Sequence, residues 1–131
     1  KGKLEVLTKA KEVTVYSWRI LANQKKFDPM YDEILGNDIK TVAKNIYRYA
    51  RLANEIRVTG KETAIARRKL QTEAIQACGD MLIDIELAYP LYHLDGKRVK
   101  YWTNMVTEAR RLLRAWRESD KARYGTHYDS S

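Results

Sequence analysis

The sequence predicts an all-α fold, an up-down-up-down bundle of four helices, and three observations carry that expectation. Apolar residues recur at alternating steps of three and four in four separate stretches of the 131-residue chain, which is the period of one face of an α-helix. Only 6 Gly and 2 Pro occur, too few turn-formers for an all-β sandwich with a turn every 8 to 12 residues or so. The connections between the stretches are short, and short connections make consecutive helices antiparallel neighbours. The length fits one domain, and a hydrophobic content of 44% is enough for a packed core.

The first helix is expected at about 8–23, where Val13, Tyr16 and Ile20 repeat and Trp18 and Leu21 widen the stripe. Asp28 then offers a side-chain cap and Pro29 suits a first helical turn, where its missing N–H costs nothing. Leu35, Ile39, Val42, Ile46, Tyr49, Ala53 and Ile56 carry a second helix over about 29–58, with Gly60 as its left-handed cap. Leu70, Ala74, Cys78, Met81, Ile85 and Ala88 mark a third over 61–90, ended by Pro90. After Asp95-Gly96, residues Val99, Trp102, Val106, Ala109, Leu113 and Trp116 mark a fourth over 96–124. Residues 1–124 thus form the bundle, and 125–131 read as a flexible tail.

Lys and Arg number 25 against 17 Asp and Glu, a formal charge of +8, as expected of a protein that meets a polyanion. The excess is segregated. Residues 1–27 and 95–124 each carry +5, while 28–58 are neutral and 61–94 carry −1. Because the first and last helices of an up-down bundle are adjacent, the two basic segments are expected to merge into one positive face. On the fourth helix Arg110, Arg114, Arg117 and Lys121 follow 4, 3, 4 spacing and form a stripe, and Lys97, Arg98, Lys100, Arg111 and Arg123 extend it. Arginine bonds phosphate bidentately and stacks on bases, so this composition suits RNA or single-stranded nucleic acid. A solvated helix face is the alternative. Tyr47, Arg48 and Arg51 on the second helix are weaker candidates, since Tyr49 between them belongs to the apolar repeat.

Glu73, Asp80 and Asp84 fall at spacings of 7 and 4 on the third helix. An acidic and a basic stripe on different faces of one domain can meet between subunits, which gives a head-to-tail contact and a ring if the rotation closes. Ordinary surface charge explains the acidic residues equally well.

No catalytic chemistry is expected. His93 and His127 lack partners at metal-ligand spacing, Glu108 has Arg111 where a di-iron bundle has His, and no phosphate-cradling loop or nucleophile elbow occurs. Cys78 sits in the apolar repeat as a core thiol and cannot form an intramolecular disulfide. No cofactor or metal is expected. No run of 18 apolar residues spans a bilayer and the first residues lack the core of a signal peptide, so a cytoplasmic setting is the expectation.

The stretch Phe27-Asp28-Pro29-Met30-Tyr31-Asp32-Glu33-Ile34-Leu35-Gly36-Asn37-Asp38-Ile39 resembles the signature of the four-helix-bundle family that includes proteins encoded in 23S ribosomal RNA intervening sequences. There a Phe-Pro-Lys turn leads at the same spacing into an aromatic position and Leu-Gly-x-x-Ile. The segment from Thr107 through Glu108, Leu113 and Trp116 is similar to the family's closing Glu-x-x-x-x-Leu-x-x-Trp motif. Within the family the chain is most like the accessory variability determinant (Avd) of diversity-generating retroelements, and it departs from the pattern at Asp32 and Asp38, where basic residues are usual. The resemblance implies a bacterial or phage-encoded homopentameric barrel that binds a reverse transcriptase and its template RNA, or DNA, during mutagenic copying, with no active site of its own. A general RNA-binding or ribosome-associated bundle and a helical protein-protein adaptor are the alternatives.

Overall fold

The computed structural model describes the backbone of residues 2–23 and 29–129, with side chains described at 5–23 and 29–125. Asp28, expected to cap the second helix, and the end of the tail at 130–131 lie outside the described residues. The described chain is helical apart from the connections at 56–60 and 92–95: α1 (Gly2–Asn23), a short α2 (Pro29–Tyr31), a π-helical turn (Asp32–Gly36), α3 (Asn37–Glu55), α4 (Lys61–Leu91) and α5 (Gly96–Asp129). No helix among the described residues is long and apolar enough to cross a membrane.

The four long helices pack as a bundle in which each touches its neighbours in sequence and α1 touches α5. Side-chain contacts cross each seam, and two of them show that α1 and α3 run antiparallel. Thr14 Oγ1 donates to the Ala43 carbonyl at 2.6 Å and, one turn later on α1, Trp18 Nε1 donates to the Lys40 carbonyl at 3.0 Å. Trp102 Nε1 of α5 donates to Ser17 Oγ of α1 at 2.8 Å. Arg67 and Gln71 of α4 reach Asp120 of α5, and Asp84 of α4 faces Asp38 of α3. A polar link on every seam of an apolar core holds one helix register against slipped alternatives.

The apolar repeats read from the sequence supply this core. Ile39, Ile46, Met81, Ile85, Trp102, Val106 and Leu113 are all at most 2% exposed, and truncating a buried side chain of this size typically costs about 2 to 5 kcal/mol. Trp18 is the exception on α1. It is 45% exposed, because the next core position on that helix is Ser17, which is fully buried beneath Trp102.

Four boundaries differ from the sequence expectation. The first helix starts at Gly2 rather than near Thr8. The second is interrupted by the π turn and stops at Glu55 rather than Val58. Gly60 is no left-handed cap: its φ of −177° is extended, and it precedes α4, where Thr63 Oγ1 accepts the backbone N–H groups of Thr59 and Gly60. The fourth helix breaks at Tyr124, as expected (φ −117°, ψ 18°), but the stretch read as tail resumes helical backbone to Asp129. Pro90 is tolerated in the final turn of α4, and the chain reverses at His93, whose φ of 52° is left-handed.

Candidate nucleic-acid interface

On α5 the buried residues Ala109, Leu113, Trp116 and Asp120 each immediately precede one member of the stripe Arg110, Arg114, Arg117 and Lys121. One residue is a rotation of about 100° on a helix, so the stripe runs along the margin of the core. It lies on the α4 side. Arg117 Nη1 donates to Thr72 Oγ1 of α4 at 3.0 Å, and the charges of Arg110 and Arg114 both act on Cys78 of α4. Burial dominates there and pushes the thiol up to about 12, against the pull of the two guanidinium groups. Lys100, with Thr103 and Thr107, continues the same row toward the start of α5 at the same alternation of three and four. By helical rise the row from Lys100 to Lys121 is about 30 Å long.

Among the described residues, Lys100, Arg110, Arg114 and Lys121 make no ion pair. Their charge is therefore available to a ligand. Arg117 is half-buried and anchored through Thr72, so its guanidinium is positioned rather than mobile.

The expected merger with the first helix fails where the start of α1 faces Glu108 and Arg111, which corrects the reading of one continuous face. There the α1–α5 seam alternates in sign: Arg111 pairs with Glu108 through bonds of 2.9 and 2.7 Å, Lys9 pairs with Glu12 at 3.1 Å, and Glu5 and Lys9 act across the seam on Arg111 and Glu108. Toward the other end of the seam Lys11, Arg19 and Arg98 keep it positive. The Arg111 bond holds the Glu108 carboxyl below its ordinary value. A heptad places Arg110 and Arg111 together on the outside of α5; only the packed structure shows that one looks toward α4 and the other toward α1.

Lys97 and Arg98, both exposed, stand in the first turn of α5, where Asp95 Oδ1 accepts the Lys97 backbone N–H at 3.3 Å. Arg98 lies near Tyr16 of α1. Arg123 is exposed and packs over the Tyr124 ring at 5.9 Å. On α3, Arg51 donates to Tyr47 Oη at 3.2 Å and pairs with Glu55 at 3.4 Å, and Arg48 sits over the Tyr49 ring at 5.2 Å. These α3 residues satisfy one another and are separate from the α5 row.

The acidic stripe on α4 is also corrected. Asp80 is exposed and Glu73 half-buried, but Asp84 is 6% exposed and turned toward Asp38 of α3. Burial first, then the hydrogen bond and charge of Asp38 and the charge of Asp80, push the Asp84 carboxyl up to about 7. Two carboxyl groups bond to each other only when one keeps its proton. Asp84 is thus a seam residue and offers nothing to a subunit on the outside.

Two aromatic residues were hidden in the sequence. Tyr101 is 58% exposed on α5 and packs edge-on against Tyr16 of α1, centroids 5.1 Å apart, while Trp18 is exposed on the α3 side of α1. Only their spacing relative to the buried Ser17 and Trp102 separates them from core residues.

Among the described residues no group of three or more His, Cys, Asp or Glu is arranged to hold a metal ion. Comparison with protein-family models, with curated proteins and with solved structures gave no match. The fold and the surface define an all-helical four-helix bundle with a long basic row on its last helix.

Proposed function

We propose that the protein is a non-enzymatic, basic nucleic-acid-binding accessory protein that holds a reverse transcriptase and its template RNA together in a diversity-generating retroelement. The observation that carries the nucleic-acid part is the row Lys100, Arg110, Arg114 and Lys121, which lines one edge of α5 without an acidic partner among the described residues. A phosphate backbone would run along this row, with Arg117 held in place by Thr72. The reverse-transcriptase part, a cytoplasmic homopentamer and the copying role rest on the resemblance of the Phe27–Ile39 and Thr107–Trp116 segments to the Avd family.

The test is RNA binding by fluorescence anisotropy across a salt series, with Arg110, Arg114 and Lys121 replaced together by Ala. The wild-type affinity falls with salt at a log-log slope of about −0.7 per neutralised phosphate, and the triple variant is weaker with a slope shallower by about 2. An equal affinity in the two proteins would reject this surface. Co-purification of RNA with a reverse transcriptase encoded beside the gene supports the retroelement role; RNA binding without it supports the intervening-sequence type of bundle.

A further inference from the structure

The groove between α1 and the first half of α5 has a different character from the basic row. It has a volume of about 340 Å³, and its walls include Lys11, Val15, Tyr16 and Arg19 of α1 with Tyr101 and Met105 of α5. The size falls within the range of small-ligand clefts. Tyr16 and Tyr101 meet at an interplanar angle of 68°. An edge-to-face contact covers at most one face of a ring, and Tyr101 at 58% exposure keeps the other open to solvent.

The charge around these rings is positive. Lys11 and Arg19 line the groove and Arg98 lies near Tyr16. Glu12, the acidic member of the lining, is neutralised by Lys9 at 3.1 Å. An open aromatic face flanked by Arg and Lys is the arrangement by which proteins hold single-stranded nucleic acid, with bases on the rings and phosphates on the cations. A duplex cannot use it, because its bases are already stacked inside.

We propose that the α1–α5 groove is a single-strand site in which an unpaired base stacks on Tyr101 while Arg19, Arg98 and Lys11 hold the flanking phosphates. The proposal rests on the nucleic-acid reading of the α5 row and adds a division of labour. The row beside α4 grips backbone of any kind, and the groove beside α1 selects strands whose bases are free.

The experiment compares an oligouridylate of about 12 nucleotides with its abasic counterpart, which has the same phosphates and no bases, by anisotropy against the full chain. Wild type should bind the base-carrying strand more tightly, and Tyr101→Ala should weaken that strand on the order of tenfold while leaving the abasic strand unchanged. Tyr101→Phe should restore the wild-type ratio, since the ring and not the hydroxyl does the stacking. Equal affinity of wild type for the two strands, or an equal loss on both in Tyr101→Ala, overturns the groove while leaving the basic row standing. Failure of both strands to bind wild type overturns the nucleic-acid reading and the groove with it.

Discussion

Arg67 of α4 grips Asp120 of α5 with both arms, Nε to Oδ2 at 2.7 Å and Nη2 to Oδ1 at 3.2 Å, and both residues are at most 3% exposed. Gln71 Nε2 adds a third bond to Oδ2 at 2.8 Å, Arg67 Nη1 reaches back to the Ile56 carbonyl at 3.2 Å, and the guanidinium lies 5.1 Å over the Trp116 ring. One ion pair thus ties α4 and α5 together and also fastens the connection that follows α3.

Removing one partner of such a pair strands a buried charge. We predict that Asp120→Ala destabilises the protein by about 3 to 5 kcal/mol in urea denaturation. Replacing both residues together, Arg67→Met with Asp120→Leu, should recover most of that loss because no charge is left buried. A double variant as unstable as the single one would show that the pair is needed for the packing itself.

Asp84 and Asp38 predict the pH dependence. Burial, with the Asp38 and Asp80 carboxyls beside it, pushes Asp84 from the ordinary 3.8 up to about 7 in the fold, so the folded state binds the proton more tightly. The stabilisation is complete below about pH 4 and is lost as pH rises through about 7, where the buried site must hold an uncompensated charge. Exposed Asp80 and the Tyr92–Asp32 neighbourhood add only unfavourable or neutral groups on that side. Asp84→Asn should therefore raise the urea midpoint at pH 8 and flatten its dependence between pH 5 and 8. A variant less stable than wild type at pH 8 would contradict this account.

His93 turns the chain between α4 and α5 with a φ of 52°, a region that glycine occupies without steric cost. Its side chain is exposed. His93→Gly should raise stability by about 0.5 to 1 kcal/mol, and His93→Val should lower it, both read from thermal melting.

The fold was legible because period carries burial. Ala74, Cys78, Met81, Ile85 and Ala88 were placed on one face of α4 by spacing alone, and all are at most 2% exposed. Spacing says which residues share a face but not which helix lies beyond its edge. That is why spacing alone puts Arg110 and Arg111 on one surface although Cys78 borders one and Glu5 the other. Asp84 escapes for a related reason, since a carboxylate one position from the apolar repeat is ordinarily solvated. Tyr101 escaped because its neighbour Trp102 took the core position, and exposure of an aromatic residue has no signature in a single sequence. The π turn at Asp32–Gly36 left no trace in the apolar pattern, because Leu35 and Ile39 keep their helical spacing through it.

The Trp102–Ser17 hydrogen bond joins positions 85 apart, against separations of 29 for Thr14–Ala43 and 53 for Arg67–Asp120. Loop closure becomes more costly with separation, so the α1–α3 and α4–α5 hairpins can each form from nearby chain while the seam between α1 and α5 must wait for them. The indole at the centre of the core is then sealed at the last step. Its fluorescence marks the moment when two half-proteins become one, and a refolding trace followed at that tryptophan would lag behind the recovery of helix.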